Sequence, residues 1–471
     1  MKTFIHVLTI IAVALLSIGT LRAADTETEY LSQAMPQSWT YGEDITSVAD
    51  SNTAWWKNFG DTLLDSLIDE GVNKNFNVSI AAHRMEIARQ TLKEARSLYF
   101  PTFNFNGGWT KSRTSGAMTT VNSPASSSSY FSLGIDMSWQ IDLFGKITAQ
   151  TRDRDALFKA SRVQYEGMML SVSAEIATCY FNLRVLQAQK QVADEHLASQ
   201  EKIVSITEVR YETGLASKLD VAQARALLYS TRATLPALDK AINNTVNAIA
   251  LLIGVYPGEI APRLEQPTAL PDPAKLPVSV GVPMDLLRRR PDIAEAEFSI
   301  VSYASRLGIA KKDYLPTLTL NGSIGTSAHD GKNLFKNNSL TYSIAPTLSW
   351  TIFDGLARNY AVSAAKEQLE AAVDQYNLTV MTAVREADAA MSDFHYTLET
   401  MDLDKKVYDE SAEAFNLSLD QYKSGLISLT PIVDAQLNMI SYSNALIQQQ
   451  GNALVALIDL YKALGGGWSS R

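Results

Sequence analysis

The sequence predicts an α+β membrane protein, in which a few amphipathic strands lie in a lipid bilayer and a long helical body projects into water. Three observations support this class. Four segments alternate apolar and polar residues, long segments without proline carry apolar residues every three or four positions, and much of the chain occurs twice. The 471 residues are 46% hydrophobic, which is typical of a globular protein. Their formal net charge of −9 argues against a nucleic-acid partner.

The first 23 residues are predicted to be a signal peptide. Lys2 supplies a basic start, residues 4–18 form an apolar run, and Ala23 is a small residue suited to cleavage. The run is shorter than the roughly 20 residues that a spanning helix needs. The chain has one cysteine, Cys179, which lies in a helical apolar series and is expected to pack in the core. No cysteine lies directly after the predicted cleavage site, so a lipoprotein is not expected.

The chain contains a tandem duplication. The nine residues YFPTFNFNG at 99–107 recur as YLPTLTLNG at 314–322, which is 215 positions later, and Trp139 recurs as Trp350, which is 211 positions later. The difference of four indicates an insertion in the loop between these two echoes. A period this long predicts two large structural units rather than a solenoid of short repeats.

Each half is predicted to contain two strands, at 102–109 and 131–141 in the first half and at 318–324 and 342–352 in the second. The polar linkers between them and the aromatic residues near the strand ends are typical of outer-membrane barrels. A soluble sandwich is the alternative, but four strands are few for a chain of this length. Four strands cannot close a barrel, so the chain would oligomerise; two copies supply eight strands and three supply twelve.

The rest of each half is predicted to be helical. Residues 63–98 lead into the first hairpin, residues 146–208 form one helix of about 95 Å, and residues 217–253 return. The spacing of apolar residues indicates coiled-coil packing, and the second half repeats it. Pro101 and Pro316 end the helices that precede the hairpins. Charged residues such as Arg184 indicate that the long helix is exposed to water.

These elements predict six segments along the chain. They are a signal peptide at 1–23, an extended or equatorial N-terminal segment at 24–61, a first repeat at 62–260 with its β-hairpin at 102–141 and helical tip near 211–220, a linker at 261–282, a second repeat at 283–465 with its β-hairpin at 317–353 and helical tip near 422–434, and a tail at 466–471.

The sequence resembles the TolC-type outer-membrane efflux proteins, in the branch similar to NodT and OprM, over essentially the whole mature chain. Three stretches in order carry this resemblance: WWKNFGD at 55–61, PMDLLRRRPD at 283–292 and LYKALGGGW at 460–468. The resemblance implies a homotrimer in the Gram-negative outer membrane, with a twelve-stranded barrel continued by a periplasmic helical tunnel. It also implies a periplasmic adaptor and an inner-membrane pump of the RND type as partners. Many members of this branch are lipoproteins, and this chain departs from them.

The resemblance places a periplasmic aperture at the two helical tips, where Tyr-x-x-Gly-Leu occurs at 211–215 and 422–426. A plain turn explains the glycines, and a capping or solvated role is the alternative for the aspartates. TolC has a gating arginine where Ile427 stands and a second aspartate where Pro431 stands, so a weaker carboxylate ring is expected. The aperture candidates are Asp434, Asp220, Tyr422, Tyr211, Thr430, Lys423 and Arg210, and the adaptor-docking candidates are Gly214, Leu215, Ala216, Gly425, Leu426 and Ile427.

No enzyme, cofactor or metal site is expected. The five histidines are scattered without metal-ligand spacing, and no phosphate-binding loop or nucleophile elbow occurs. The arginines at 288–290 precede Pro291 and indicate a helix start rather than a nucleic-acid site. Three functions remain: an efflux duct, the outer-membrane duct of a type I protein-secretion system, and a periplasmic coiled-coil scaffold, which the alternating strands disfavour.

Overall fold

The computed structural model describes residues 31, 35–41, 54–115, 126–278, 283–285 and 289–466. The predicted signal peptide and residues 467–471 of the tail lie outside the described residues. The chain divides into two units, Met1–Met35 and Pro36–Arg471, and the second contains every helix and strand named below.

Helices dominate the fold. No described helix is by itself long and apolar enough to cross a membrane. The helices Lys218–Ile253 and Pro257–Leu264 pass that test only as a pair, and the chain bends by 117° between them. The helices are α1 (Thr62–Lys74), α2 (Phe76–Ser97), α3 (Lys146–Glu212), α4 (Lys218–Ile253), α5 (Pro257–Leu264), α6 (Pro291–Lys312), α7 (Ala357–Lys423) and α8 (Leu429–Ala463).

The duplication predicted from sequence is present in the helix bounds. Helices α3 and α7 both contain 67 residues, and their ends are 211 positions apart. Helices α2 and α6 both contain 22 residues, and their ends are 215 positions apart. These are the two offsets of the sequence echoes. At 1.5 Å per residue, each long helix extends about 100 Å.

One antiparallel sheet contains the described strands, in the order β1 (Thr102–Thr114), β2 (Ser126–Ile141), β3 (Thr317–Ala328) and β4 (Leu340–Ser349). Its register places residues of similar polarity opposite one another on neighbouring strands. Phe105, Ile135, Ile324 and Tyr342 form one row on the apolar face. Strands β1 and β4 are the edges, and neither has a second partner within the described chain.

The strand bounds differ from the sequence prediction at both hairpins. Strands β1 and β2 extend into the predicted linker at 110–129. The alternation of apolar and polar residues did not predict these longer strands. Lys111 is a charged residue at a position of the apolar face, and residues 126–129 are all serine and do not alternate. In the second hairpin, β4 ends at Ser349, which pairs with Thr317. The residue before Thr317 is a proline without an N–H group, so the ladder stops there and Trp350 lies beyond it.

The two sequence echoes meet at the junction between helix and strand. The Trp139 indole Nε1 donates to the Tyr99 carbonyl at 3.0 Å, and Trp350 Nε1 donates to the Tyr314 carbonyl at 2.9 Å. Both tyrosines follow the end of a helix and precede the proline of the echo. The repeated nine residues are therefore a structural joint that the repeated tryptophan holds in each half.

The predicted single helix at 63–98 is wrong, because it is interrupted at Asn75. This residue has an extended backbone, with φ −62° and ψ 129°. Its side-chain oxygen accepts from the backbone N–H groups of Asn77 and Val78, and its Nδ2 donates to the Leu252 carbonyl at 2.7 Å. A side chain that caps a new helix and reaches α4 competes with continuation of the first helix.

The expectation that Arg184 faces water is also wrong. Its side chain is 2% exposed and lies over the Tyr180 ring, 4.7 Å from the centroid. Arg184 Nη1 donates to the Gln266 carbonyl at 2.6 Å, and the Tyr180 hydroxyl donates to Asp61. Burial and this hydrogen bond to Asp61 raise the pKa of Tyr180 to about 12. The aromatic WWKNF segment packs beside this group, with Phe59 against Phe181.

The arginine-rich stretch before Pro291 has a structural role at Arg290, as predicted. Arg290 precedes α6 and donates to the Ala463 carbonyl at the end of α8 and to Glu386 on α7. Burial would lower the pKa of Arg290, but the carboxylates of Asp292 and Glu386 outweigh it and raise that pKa. One guanidinium thus joins three helices.

Candidate functional site at the helical tips

The two helical tips have nearly the same backbone. After α3, Gly214 has φ +75° and the Leu215 N–H donates to the Arg210 carbonyl at 2.7 Å. After α7, Gly425 has φ +76° and Leu426 N–H donates to the Gln421 carbonyl at 2.9 Å. This left-handed glycine conformation closes the last helical turn and reverses the chain.

The docking candidates divide by exposure. Leu215 is 71% exposed and Leu426 is 75% exposed, so each tip presents one large apolar side chain to its surroundings. Gly214 and Gly425 are exposed beside them, whereas Ala216 and Ile427 are half-buried. Ile427 packs against the apolar cluster under the tips.

Asp220 closes the first turn of α4. Its Oδ2 accepts from the backbone N–H of Ser217 at 2.7 Å and from the Ser217 hydroxyl at 2.9 Å, while its own N–H donates to Ser217 Oγ. This reciprocal pair is a capping box. The capping role that the sequence left as an alternative is thus present. The second repeat has Pro431 at the equivalent position, and Ser428 makes no side-chain cap there.

Asp434 and Thr430 lie one turn apart on α8, and both are exposed. No ion pair or side-chain hydrogen bond joins Asp434 to any residue that the structure describes. Lys423 pairs instead with Asp420 on its own helix, at 3.2 Å. The exposed carboxylate of Asp434 therefore has no cation beside it within the described part of the chain.

The repeated tyrosines have opposite environments. Tyr211 is 46% exposed, whereas Tyr422 is 3% exposed. The Tyr422 hydroxyl lies 3.3 Å from Thr207 Oγ1, and the Arg210 guanidinium lies over the Tyr422 ring at 4.5 Å. Arg210 Nη1 also donates to the Tyr422 carbonyl at 2.7 Å. The structure thus brings Arg210 and Tyr422 together across the two helical hairpins and leaves Tyr211 apart from them.

An apolar cluster beneath the tips joins the two hairpins. Its buried members come from α3, α4, α7 and α8, and they are Leu197, Ile203, Val204, Ala224, Leu228, Phe415, Tyr422, Leu429, Ile432 and Met439. The sequence prediction included only Tyr422 of this set. Burial of apolar side chains from both hairpins is the main attraction that holds them side by side.

Gln436 is a buried polar residue that the sequence prediction missed. Its side chain is 1% exposed, and neither amide atom has a hydrogen-bond partner among the residues that the structure describes. Comparison of the repeats contained a signal, because position 436 corresponds to Arg225 at the offset of 211. In the first repeat Arg225 is exposed and pairs with Glu208 at 2.7 Å. The substitution of glutamine for arginine accompanies burial of this face in the second repeat.

Comparison with known proteins agrees with this architecture. The family model described as "Outer membrane efflux protein" matches residues 67–255 and 282–466. The probable efflux pump outer membrane protein TtgC of Pseudomonas putida is 27% identical over 89% of this chain and 86% of its own. Nodulation protein T of Rhizobium leguminosarum bv. trifolii is 27% identical over 93% of this chain and 94% of its own.

Among solved structures, the outer-membrane channel OprN superposes with a TM-score of 0.86 and 27% identity, covering 96% of this chain and 99% of its own. The family model covers most of both repeats, and its two matched segments correspond to the two structural halves. The chain therefore belongs to the outer membrane efflux protein family.

Proposed function

We propose that this protein is the outer-membrane channel of a tripartite efflux system, a passive gated duct for small molecules supplied by an inner-membrane pump through a periplasmic adaptor. Family membership and the names of the relatives, which are outer-membrane proteins of efflux pumps, support this function. The pump selects the substrate, and the duct conducts it across the outer membrane.

The open-edged sheet is the observation that carries the proposal. One face of the strands is apolar although it is exposed in the protomer; Phe105 is 70% exposed and Ile344 is 75% exposed. The edge strands β1 and β4 run in opposite directions, so β4 of one copy can pair with β1 of the next. In lipid an unpaired edge is costly, and three copies close a twelve-stranded barrel with its apolar face outward.

The adaptor is proposed to dock at the helical tips. Leu215 and Leu426 are exposed apolar side chains within the two turns, next to glycines that allow close approach. Leu215→Asp and Leu426→Asp are expected to weaken adaptor binding in a pull-down without changing the melting temperature, because neither side chain is buried in the protomer. Leu219→Asp, at an exposed leucine outside the turn, is the matched control.

The aperture is proposed to be lined by Asp434, with Thr430 one turn away. Asp434→Ala is expected to raise single-channel conductance in planar bilayers, because in the proposed trimer the carboxylates at the narrowest point bind cations and groups of the neighbouring subunits that hold it closed. Asp420→Ala, at another exposed aspartate near the same tip, is the control. Unchanged conductance of Asp434→Ala would contradict the assignment.

The function as a whole is tested by purifying the protein from outer membranes. A heat-modifiable trimer that forms ion-conducting channels in planar bilayers is the expected result. A monomer without conductance, with the same helical content, would support the coiled-coil scaffold instead.

A further inference from the structure

The polar face of the sheet carries one charge. Register and alternation place asparagine, serine, threonine, glycine and other uncharged residues along this face in all four strands. Among the described strand residues Asp136, on β2, is the only charged side chain on that face. Lys111 and Arg113 belong to the opposite, apolar face, since they continue the series of Phe105 and Trp109.

The surroundings hold the Asp136 carboxylate in place without neutralising it. Asn106 Nδ2 donates to Asp136 Oδ2 from the neighbouring strand, and Asp136 itself is exposed. Its row across the sheet consists of Asn104, Ser323 and Ser343, all neutral. No lysine or arginine of the described chain lies within ion-pair distance, so its negative charge is uncompensated.

Two glycines lie beside Asp136 in the middle of the next row, between Asn106 and Thr341. Gly134 and Gly325 oppose each other in the next row, and a Cβ added at Gly325 would lie 2.5 Å from the Leu133 carbonyl oxygen and 2.8 Å from the Gly134 Cα. Backbone atoms cannot move aside for a larger residue. The exposed carboxylate therefore lies beside a gap in the side-chain layer that only glycine permits.

We propose that Asp136 forms a ring of three carboxylates inside the barrel, which makes the outer-membrane part of the duct selective for cations and cationic solutes. This inference rests on the proposed function, because the ring requires the trimeric barrel with its polar face inward. It is separate from the helical tips, since Asp136 lies on β2 whereas Asp434 lies at the far end of the long helices.

Electrostatic screening decides the conditions of the test. In a barrel of twelve strands the three carboxylates are about 15 Å apart and about 9 Å from the axis. The Debye length is about 8 Å at 0.15 M salt and about 30 Å at 0.01 M. Coulomb's law in water then predicts roughly fivefold enrichment of a monovalent cation at the axis in 0.01 M salt, and roughly twofold at 0.15 M.

The experiment measures reversal potentials of the trimer in planar bilayers under a KCl gradient whose dilute side is 0.01 M. The parent protein and its Asp136 variant both carry Asp434→Asn, which removes the charge proposed for the aperture. Asp136→Asn is expected to reduce the ratio of potassium to chloride permeability at least threefold. Adding Ser323→Asp, which restores a carboxylate in the same row, is expected to restore that ratio.

The outcomes separate this inference from the proposed function. If the parent protein forms no conducting trimer, the proposed function fails. If the parent conducts and Asp136→Asn leaves the permeability ratio unchanged, the carboxylate ring is wrong and the channel stands. Reduced selectivity that Ser323→Asp does not restore would show that Asp136 acts through folding of the sheet, and would also overturn the inference.

Discussion

Replacing Arg210 with alanine tests the contact that joins the two helical hairpins at their tips. Arg210 belongs to the first repeat, and its guanidinium contacts both the ring and the carbonyl of Tyr422 in the second. Arg210→Ala removes both contacts and leaves Tyr422 in its buried position. The expected result is easier separation of the two hairpins at this end of the protein.

The magnitude follows from the two interactions. A hydrogen bond from a charged donor contributes about 1.5–3 kcal/mol, and a cation–π contact about 0.5–2 kcal/mol. Water replaces part of the hydrogen bond to the Tyr422 carbonyl, so a net loss of about 2–3 kcal/mol is expected, which is roughly a 30- to 140-fold change in the opening equilibrium.

Hydrogen exchange of the purified protein measures this equilibrium directly. Amides near Tyr422 are expected to exchange faster in Arg210→Ala by that factor. Arg225→Ala is the matched control, because it removes an arginine whose ion pair with Glu208 lies within one hairpin and is largely exposed. Such a pair contributes about 0–1 kcal/mol. If both variants accelerate exchange equally, Arg210 does not join the hairpins.

Two further predictions concern the helices nearer the sheet. Asn75→Ala is expected to destabilise the protein by about 1–2 kcal/mol in denaturant unfolding, because it removes two capping bonds and the bond to Leu252; Asn73→Ala, at an exposed asparagine, is the control, and equal losses would refute the capping role. Hydrogen bonds from Lys74 and Arg263 lower the pKa of Glu70 below its ordinary 4.5. A lowered pKa means that this carboxylate stabilises the fold above pH 4.5 and loses that effect as the pH falls through its folded pKa. Glu70→Gln should therefore melt below the parent at pH 6, and the difference should close on acidification; a difference that persists in acid would contradict this.

The helical tips of this protein differ from those of TolC at two positions. In the family resemblance, Ile427 and Pro431 replace residues of the TolC gate, which predicted a different closure. The structure supplies a contact between Arg210 and Tyr422 in the same region. Hydrogen exchange of Arg210→Ala measures separation of the hairpins. Its conductance measures whether that separation affects the channel.

The sequence by itself determined the features that depend on local periodicity and on repetition. The offsets of 211 and 215 predicted that the second half repeats the first, and they relate the ends of α7 to those of α3 and the ends of α6 to those of α2. Alternation assigns the two faces of the strands, because successive side chains in a strand point to opposite sides. The glycines of the tips are also local, since a positive φ closes the turn whatever lies around it.

Only the tertiary structure decided which face of each helix meets another part of the chain. Tyr211 and Tyr422 occupy equivalent positions in the repeats, yet only Tyr422 is buried, because only Tyr422 faces the other hairpin. Arg184 carries a charge that indicated exposure, but its stem and guanidinium fill a space beside Tyr180 under a loop 82 positions away. A pattern of apolar residues predicts that a helix face is buried. It does not predict which segment packs against that face, because the two segments lie far apart in the sequence.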